Sequence, residues 1–183
     1  MSNKLAVLFP GIGYTNDKPL LYYSGKLAKE LGYDTIYINY DGFPDDVRGD
    51  QDKMTQCFDI ALEQSKRILE TVDWSGYDRI VFISKSIGTV VAVNYARNLP
   101  CTISHVLLTP LSQTFYEPVG ESIAFHGTAD PWADTVQINA YCLINKVPLT
   151  IIPDANHSLE TDHVLKNITI VKKTIKAIKK YLS

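Results

Sequence analysis

Long apolar runs are missing from this sequence. Among its 183 residues the longest uninterrupted apolar runs, 5–9 and 140–144, have five residues each, whereas a membrane-spanning helix needs about 20. The stretch after Met1 leads directly into a strand-like run, without the longer apolar core and small-residue cleavage site of a secretory signal. We therefore expect a cytoplasmic protein with no membrane partner.

The sequence also has no marked excess of positive or of negative charge. The 18 Lys and Arg residues nearly balance the 20 Asp and Glu residues, which gives a net charge of −2. Proteins that bind nucleic acids use a basic surface to neutralise the phosphates. We therefore expect no nucleic-acid partner.

Neither cysteines nor histidines are spaced as metal ligands or as a disulfide framework. Cys57, Cys101 and Cys142 lie far apart without a Cys-x-x-Cys pair, and the four histidines are scattered. Residues 11–13 (Gly-Ile-Gly) begin like a dinucleotide-binding loop, but the third glycine is missing, and no Gly-Lys-Ser/Thr phosphate loop occurs. We expect free thiols, no metal and no cofactor.

The sequence does contain a regular alternation of two patterns. Short, continuous apolar runs rich in β-branched residues predict strands buried on both faces, and stretches of helical period lie between most of them. This alternation indicates parallel strands joined by right-handed crossovers. We predict an α/β fold: a three-layer α/β/α sandwich with a doubly wound, mostly parallel six-stranded sheet, in a single domain over residues 1–183 without a separate cap domain. The predicted strands are 5–9, 35–38, 79–83, 105–108, 122–125 and 149–152.

A serine follows the third predicted strand, at the start of a helical run. Ser86 lies at the centre of the stretch 84–88 (Ser-Lys-Ser-Ile-Gly), with a small residue two positions to either side. Small residues there allow strand and helix to approach closely around a sharp turn that projects the serine above the sheet. The amide of Ile87, at the positive end of the helix, can then face a developing oxyanion. A serine that caps the helix is the alternative.

Two further polar residues follow later strands. Asp130 lies in a Gly- and Pro-containing turn after the fifth predicted strand, and His157 lies in the loop after the sixth. The carboxyl ends of parallel strands share one edge of a sheet, where ligands bind. A histidine there can take the proton of Ser86, while a carboxylate orients that histidine and stabilises its cation. We therefore predict Ser86, Asp130 and His157 as catalytic residues, with Asp154 as an alternative acid.

These segments resemble the α/β-hydrolase family. The stretch 84–88 matches the nucleophile elbow of that family, 126–131 matches its acid turn, and 156–159 matches its histidine loop. The chain order Ser, Asp, His is also the order of the family. Ser84 stands where glycine is usual in the elbow. Because serine is also small, the turn remains compatible with the family pattern.

The stretch 9–14, after the first predicted strand, is similar to the oxyanion loop of the same family. The resemblance implies that the amide of Ile12 is the second oxyanion donor beside that of Ile87, with Gly13 as the alternative. Pro10 stands where histidine is common, but the loop donates through its backbone.

The resemblance implies a serine hydrolase acting on a small-molecule acyl substrate. The connection 110–121, where members of the family often insert a lid, is short, so we expect an open site and small or exposed carboxylic esters. Thioesters and amides remain alternatives, as does a non-catalytic binding module with this fold. We expect substrate contacts from aromatic residues near strand ends. These are Tyr14, Tyr40, Tyr116 and Trp132, with Phe43 and Phe115 as further candidates.

The sequence leaves more than one role possible for some charged residues near these segments. The stretch 40–53 carries five aspartates against Arg48 and Lys53, and it disfavours a highly anionic substrate if it borders the site; a solvated acidic loop is the alternative. Lys85 can face the substrate or an acidic loop, and His126 is expected to be structural. The six lysines of 166–180 are expected on the solvated face of the last helix.

Overall fold

In the computed structural model, which describes residues 3–183, the six predicted strands form one sheet. All neighbouring strands are parallel, in the order β2-β1-β3-β4-β5-β6. The sequence-based prediction of a doubly wound parallel sheet is thereby confirmed, with strand ends that differ by two residues or fewer. The strands are β1 Lys4–Phe9, β2 Tyr33–Tyr37, β3 Arg79–Lys85, β4 Ile103–Leu108, β5 Ser122–Gly127 and β6 Leu149–Ile152.

Five α-helices cover the two faces of the sheet. They are α1 Pro19–Glu30, α2 Gln51–Leu69, α3 Ile87–Ala96, α4 Thr135–Ile144 and α5 Val164–Leu182. On β1, Ala6 and Leu8 pack on the side of α1 and α5, and Leu5 and Val7 pack on the side of α2 and α3. Both sets are fully buried, which explains why the strand sequences are continuously apolar rather than alternating.

The helices begin and end at residues that suit their positions. Asp50 accepts a hydrogen bond from the Lys53 amide at the start of α2, and Asp134 accepts one from the Gln137 amide at the start of α4. Such side chains satisfy amides that have no partner within the helix. After α1, Gly32 has a φ of 80°, a left-handed conformation that glycine adopts without strain.

The connection between β4 and β5 contains the 3-10 helix Ser112–Phe115 and is otherwise irregular. On α5, Ile170 and Ile178 pack in the core, whereas Ile168 is exposed, so the apolar stripe of this helix is only partly covered. Across residues 3–183, none of the helices has the length and apolarity to cross a membrane.

Candidate active site

The turn between β3 and α3 places Ser86 at the edge formed by the carboxyl ends of the strands. Ser86 has φ 57° and ψ −127°, a strained backbone conformation for a residue with a side chain. Gly88 lies against the backbone at the end of β1. A Cβ atom at this position would overlap the backbone carbonyls of Pro10 and Phe9. A small residue is therefore required two positions after Ser86.

Ser86, His157 and Asp130 form a continuous hydrogen-bonded relay. His157 Nε2 lies 2.7 Å from Ser86 Oγ, and His157 Nδ1 lies 2.7 Å from Asp130 Oδ2. Because a carboxylate only accepts hydrogen bonds, Nδ1 carries the proton of the neutral ring and Nε2 accepts a hydrogen bond from the Ser86 hydroxyl. Ser86 is partly exposed, so a substrate can reach it.

Asp154, the alternative acid, lies elsewhere. Its side chain is largely exposed, and Oδ2 pairs with Lys166 Nζ at 3.2 Å. The carboxylate beside His157 Nδ1 is therefore Asp130, whose side chain is fully buried.

The acid turn and the histidine loop are joined to each other by backbone contacts. A Cβ atom at Gly127 would overlap the carbonyl of Ala155, so the absence of a side chain allows the two segments to touch. The Ala129 amide donates to that same carbonyl at 2.9 Å, and the Asp154 amide donates to Thr128 Oγ1 at 2.8 Å. These contacts fix the distance between Asp130 and His157.

Local hydrogen bonds also fix each of the two side chains. Asp130 Oδ1 accepts from the Trp132 amide at 2.8 Å, which leaves Oδ2 for His157. In the histidine loop, Asn156 Oδ1 accepts from the amides of Ser158 and Glu160 at 2.8 and 3.1 Å. A side chain that closes a turn in this way holds the intervening backbone in one conformation.

Burial and charge set the protonation states of the relay. Burial raises the pKa of Asp130, but its hydrogen bond to His157 and the His157 charge outweigh burial and hold the pKa below the ordinary value. Burial lowers the pKa of His157, and the Lys85 and His126 charges lower it further, against the opposing effect of Asp130. At neutral pH the site therefore combines a carboxylate with a neutral imidazole that can accept a proton.

Lys85 is a fully buried charge immediately before Ser86. Its ammonium lies over the ring of Tyr14, 4.8 Å from the centroid, so it faces neither solvent nor an open cleft. Burial lowers the pKa of Lys85 to about 7, although the charges of Asp130 and Glu160 act in the opposite direction. The sequence did not indicate this direction, because a lysine one residue from a turn apex can point to either side.

His126 lies behind Asp130 without touching Ser86. Its Nε2 is 3.0 Å from Thr135 Oγ1, and its Nδ1 is 3.8 Å from Asp130 Oδ2. Burial lowers the pKa of His126, so the ring is neutral near pH 7. This position fits the structural role expected from the sequence.

The loop after β1 runs directly beside Ser86. A Cβ atom at Gly11 would lie 3.0 Å from Ser86 Cβ. Gly11 and Tyr14 exchange backbone hydrogen bonds of 3.1 and 3.3 Å, so Ile12 and Gly13 form the tip of a tight turn. Ile87 is the first residue of α3, where helical amides have no partner within the helix. The assignment of Ile12 and Ile87 as oxyanion donors stays a prediction.

Two of the aromatic candidates are exposed around this edge. The ring of Trp132 lies 5.8 Å from that of His157, and its exposed fraction is 38%. Tyr116 is 67% exposed and lines a cavity of about 280 Å³ that also touches Ile87, Val90 and Leu111.

The other aromatic candidates are more buried. Tyr40 and Phe43 line a cavity of about 90 Å³ beside Pro10 and Gly11, and Tyr40 Oη lies 3.1 Å from Ser65 Oγ.

The prediction that Tyr14 contacts the substrate does not agree with its position in the structure. Its side chain is buried under Lys85, and its hydroxyl accepts a hydrogen bond from the Leu20 amide at 3.1 Å. Phe115 is likewise buried and stacks on Tyr141, with ring centroids 5.6 Å apart. Both rings therefore pack in the hydrophobic core and do not line the cleft.

No protein-family model and no curated protein sequence matches the chain. Its fold, however, matches solved structures that cover nearly all of it. An alpha-beta serine hydrolase homologue from Coxiella burnetii is 17% identical, with 100% of this chain and 86% of that chain covered and a TM-score of 0.69. A serine hydrolase without lid from Xanthomonas campestris is 15% identical, with 99% and 84% covered and a TM-score of 0.64.

A thermophilic esterase from the planctomycete Thermogutta terrifontis, with propionate bound, is 16% identical; 99% of this chain and 83% of that chain are covered, with a TM-score of 0.69. At such identities the likeness concerns the arrangement of the backbone. Together with the sheet order and the serine turn after β3, it establishes that this chain has the α/β-hydrolase fold.

Proposed function

We propose that this protein is a serine hydrolase that cleaves small or exposed carboxylic esters through an acyl-enzyme. The observation that carries the proposal is the relay of two 2.7 Å contacts from Ser86 Oγ through His157 to Asp130. A serine hydroxyl is a weak nucleophile at neutral pH and becomes effective when a neighbouring base accepts its proton. The lowered pKa of His157 keeps that base unprotonated.

Acylation begins when Ser86 Oγ attacks the ester carbonyl carbon and His157 Nε2 accepts the hydroxyl proton. Asp130 accepts the Nδ1–H hydrogen bond and stabilises the resulting imidazolium. The amides of Ile87 and Ile12 donate to the oxyanion of the tetrahedral intermediate. The imidazolium then donates its proton to the alcohol oxygen as the carbon–oxygen bond breaks, which leaves an ester between the acyl group and Ser86.

Deacylation repeats these steps with water. His157 Nε2 accepts a proton from water as the water oxygen attacks the acyl carbon. The second tetrahedral intermediate collapses, and the imidazolium returns the proton to Ser86 Oγ. The carboxylic acid leaves, and the neutral imidazole is restored.

The form of the site supports small or exposed esters rather than long buried chains. The short connection between β4 and β5 leaves Ser86 partly exposed. The cavity of about 280 Å³ beside Ile87 has room for a short acyl group. Thioesters and amides have the same acyl carbonyl and are the closest alternative substrates.

A fluorophosphonate probe tests the nucleophile directly. We expect the probe to label the native protein at Ser86 and to leave Ser86→Ala unlabelled, with weaker labelling of His157→Ala. Ser158→Ala is the matched control, because it removes a hydroxyl next to His157 but outside the relay, and it should label normally. Failure of the folded native protein to react would instead support a non-catalytic binding module.

A panel of aryl esters, thioesters and amides with different acyl lengths then defines the substrate. We expect the highest kcat/KM for short acyl esters and a loss on the order of 10⁶-fold in kcat for Ser86→Ala. Activity confined to long acyl chains would contradict the inference from the open site.

A further inference from the structure

The guanidinium of Arg48 contacts Trp132, the ring that lies beside His157. The guanidinium of Arg48 lies over the Trp132 ring, 5.8 Å from its centroid, and the Trp132 centroid lies 5.8 Å from that of His157. The guanidinium is therefore within about 12 Å of the proton-accepting ring.

This contact passes over the edge of the sheet that carries the nucleophile. Arg48 belongs to the loop between β2 and α2, and Trp132 belongs to the turn between β5 and α4. In the sheet, β2 and β5 lie on opposite sides of β3, the strand that ends at the serine turn. The contact therefore joins loops from the two sides of the strand that ends at the serine turn.

The guanidinium of Arg48 is exposed and has no carboxylate partner within residues 3–183. By contrast, Arg97 pairs with Glu117 at 2.7 Å, and Arg79 donates to the carbonyls of Tyr181 and Leu182. A guanidinium without an anion retains its full set of fork-shaped donors, which match a carboxylate.

The acidic residues near Arg48 in the sequence have other contacts. Asp50 caps α2, and Asp41 Oδ1 accepts a hydrogen bond from Gln64 Nε2 at 2.9 Å. Asp45 and Asp46 accept from Lys53 through their backbone carbonyls. Within this loop, the charged group that contacts Trp132, the ring beside His157, is the guanidinium of Arg48.

We propose that Arg48 binds a carboxylate carried by the substrate, so that the preferred esters are acidic ones, such as half-esters of dicarboxylic acids. This inference rests on the proposed hydrolase function and names its substrate class. The Trp132 ring restricts the guanidinium before binding, which reduces the entropy lost when the carboxylate docks. A singly charged carboxylate fits better than a phosphate, because one guanidinium faces it and the side chains of Asp45 and Asp46 are exposed on the same loop.

From the sequence, the acidic stretch 40–53 disfavours a highly anionic substrate if it borders the site, and a solvated acidic loop is the alternative. That expectation treated the stretch as a sum of charges. In the folded protein the stretch contributes the Arg48 cation that contacts the ring beside His157, and a substrate with one carboxylate is not highly anionic.

Paired substrates that differ only in a terminal carboxylate test the proposal. The mono-4-nitrophenyl esters of glutarate, adipate and suberate are compared with neutral 4-nitrophenyl esters of equal chain length, at low salt. For the native enzyme we expect kcat/KM to favour at least one acidic ester by roughly tenfold, mainly through a lower KM. The preference should decrease as ionic strength rises.

Arg48→Ala should abolish this preference, and Arg48→Glu should reverse it. Arg67→Ala is the matched control: Arg67 is another exposed arginine, in the last turn of α2, about 24 Å along the helix from its start. It should keep both the preference and the activity of the native enzyme.

The two proposals fail in different ways. If the native enzyme reacts with the neutral fluorophosphonate probe and hydrolyses neutral esters but shows no acidic preference, the role of Arg48 is wrong while the hydrolase function stands. A preference that survives unchanged in Arg48→Ala also overturns the role of Arg48. A protein that reacts with neither probe nor esters refutes the hydrolase function itself.

Discussion

The base of the candidate site and its rim are held by different kinds of contact. At the base, Gly88 and Gly127 bring backbone segments into direct contact, and backbone hydrogen bonds join the acid turn to the histidine loop. At the rim, Arg48 and Trp132 meet through exposed side chains on separate loops. The base is therefore fixed by the sheet, whereas the rim can change its chemistry by single substitutions without disturbing the relay.

Among substitutions that leave Ser86 in place, the largest effect is expected when Asp130 loses its charge. Asp130→Asn keeps the shape of the side chain but removes the carboxylate that orients His157, so kcat should fall by about 10⁴-fold. Steady-state hydrolysis of a short aryl ester measures it. Asp154→Asn, a control at the exposed acid paired with Lys166, should change kcat little, and equal losses in the two variants would contradict the assignment.

The next effect concerns stability and is expected when the close backbone contact between Gly127 and Ala155 is blocked. Gly127→Ala places a methyl group into the carbonyl of Ala155, so the two segments must separate, and the free energy of unfolding should fall by about 3 kcal/mol. Urea denaturation measures this change. Gly76→Ala is the control, since its nearest neighbour would be Asp73 Oδ2 at 3.4 Å, and a similar loss there would argue against a specific role for the contact.

The buried cation Lys85 should shift the pH profile of kcat/KM. We expect activity to rise with pH as His157 loses its proton. Because the pKa of His157 is lowered and that of Lys85 is about 7, Lys85 is charged in the range where His157 titrates. Lys85→Met removes a positive charge that lowers the pKa of His157, so the acidic limb of kcat/KM should move to higher pH. An unmoved limb would contradict the electrostatic role.

The same variant should unfold at a higher temperature near neutral pH. Burial lowers the pKa of Lys85 below its ordinary value, so folding disfavours the charged form, and this destabilisation is present at every pH below the ordinary pKa of lysine. Thermal unfolding of Lys85→Met and Lys85→Gln at pH 7 measures the gain; a lower Tm in Lys85→Met would show that the ammonium stabilises the fold.

The smallest effect is expected at the rim. Tyr116 is exposed, so Tyr116→Ala should change the free energy of unfolding by less than about 0.5 kcal/mol. Because its ring lines the cavity beside Ile87, kcat/KM for short acyl esters should still fall a few-fold. A loss comparable to that of Asp130→Asn would mean that the rim is as tightly coupled to the chemistry as the base.

The same division explains what could be predicted from the sequence. Continuous apolar runs predicted the six strands, and the rule that parallel strands end at one edge predicted that Ser86, Asp130 and His157 lie together. In the structure His157 is within hydrogen-bond distance of both Ser86 and Asp130. Tyr14 was misplaced because its hydroxyl is used by the Leu20 amide, a contact that no spacing indicates. The contact between Arg48 and Trp132 joins loops far apart in the chain. A count of charges over 40–53 does not show which single charge lies beside Trp132.

The close contact between Gly127 and Ala155 has a further consequence for the motions of the protein. It makes Asp130 and His157 parts of one unit carried by β5 and β6, while Ser86 belongs to β3, with β4 between them. A small sliding movement between β4 and β5 would alter the gap from Ser86 to His157 but leave the imidazole aligned with its carboxylate. Mild heating or denaturant should therefore slow the first acyl transfer before it changes the titration of the histidine.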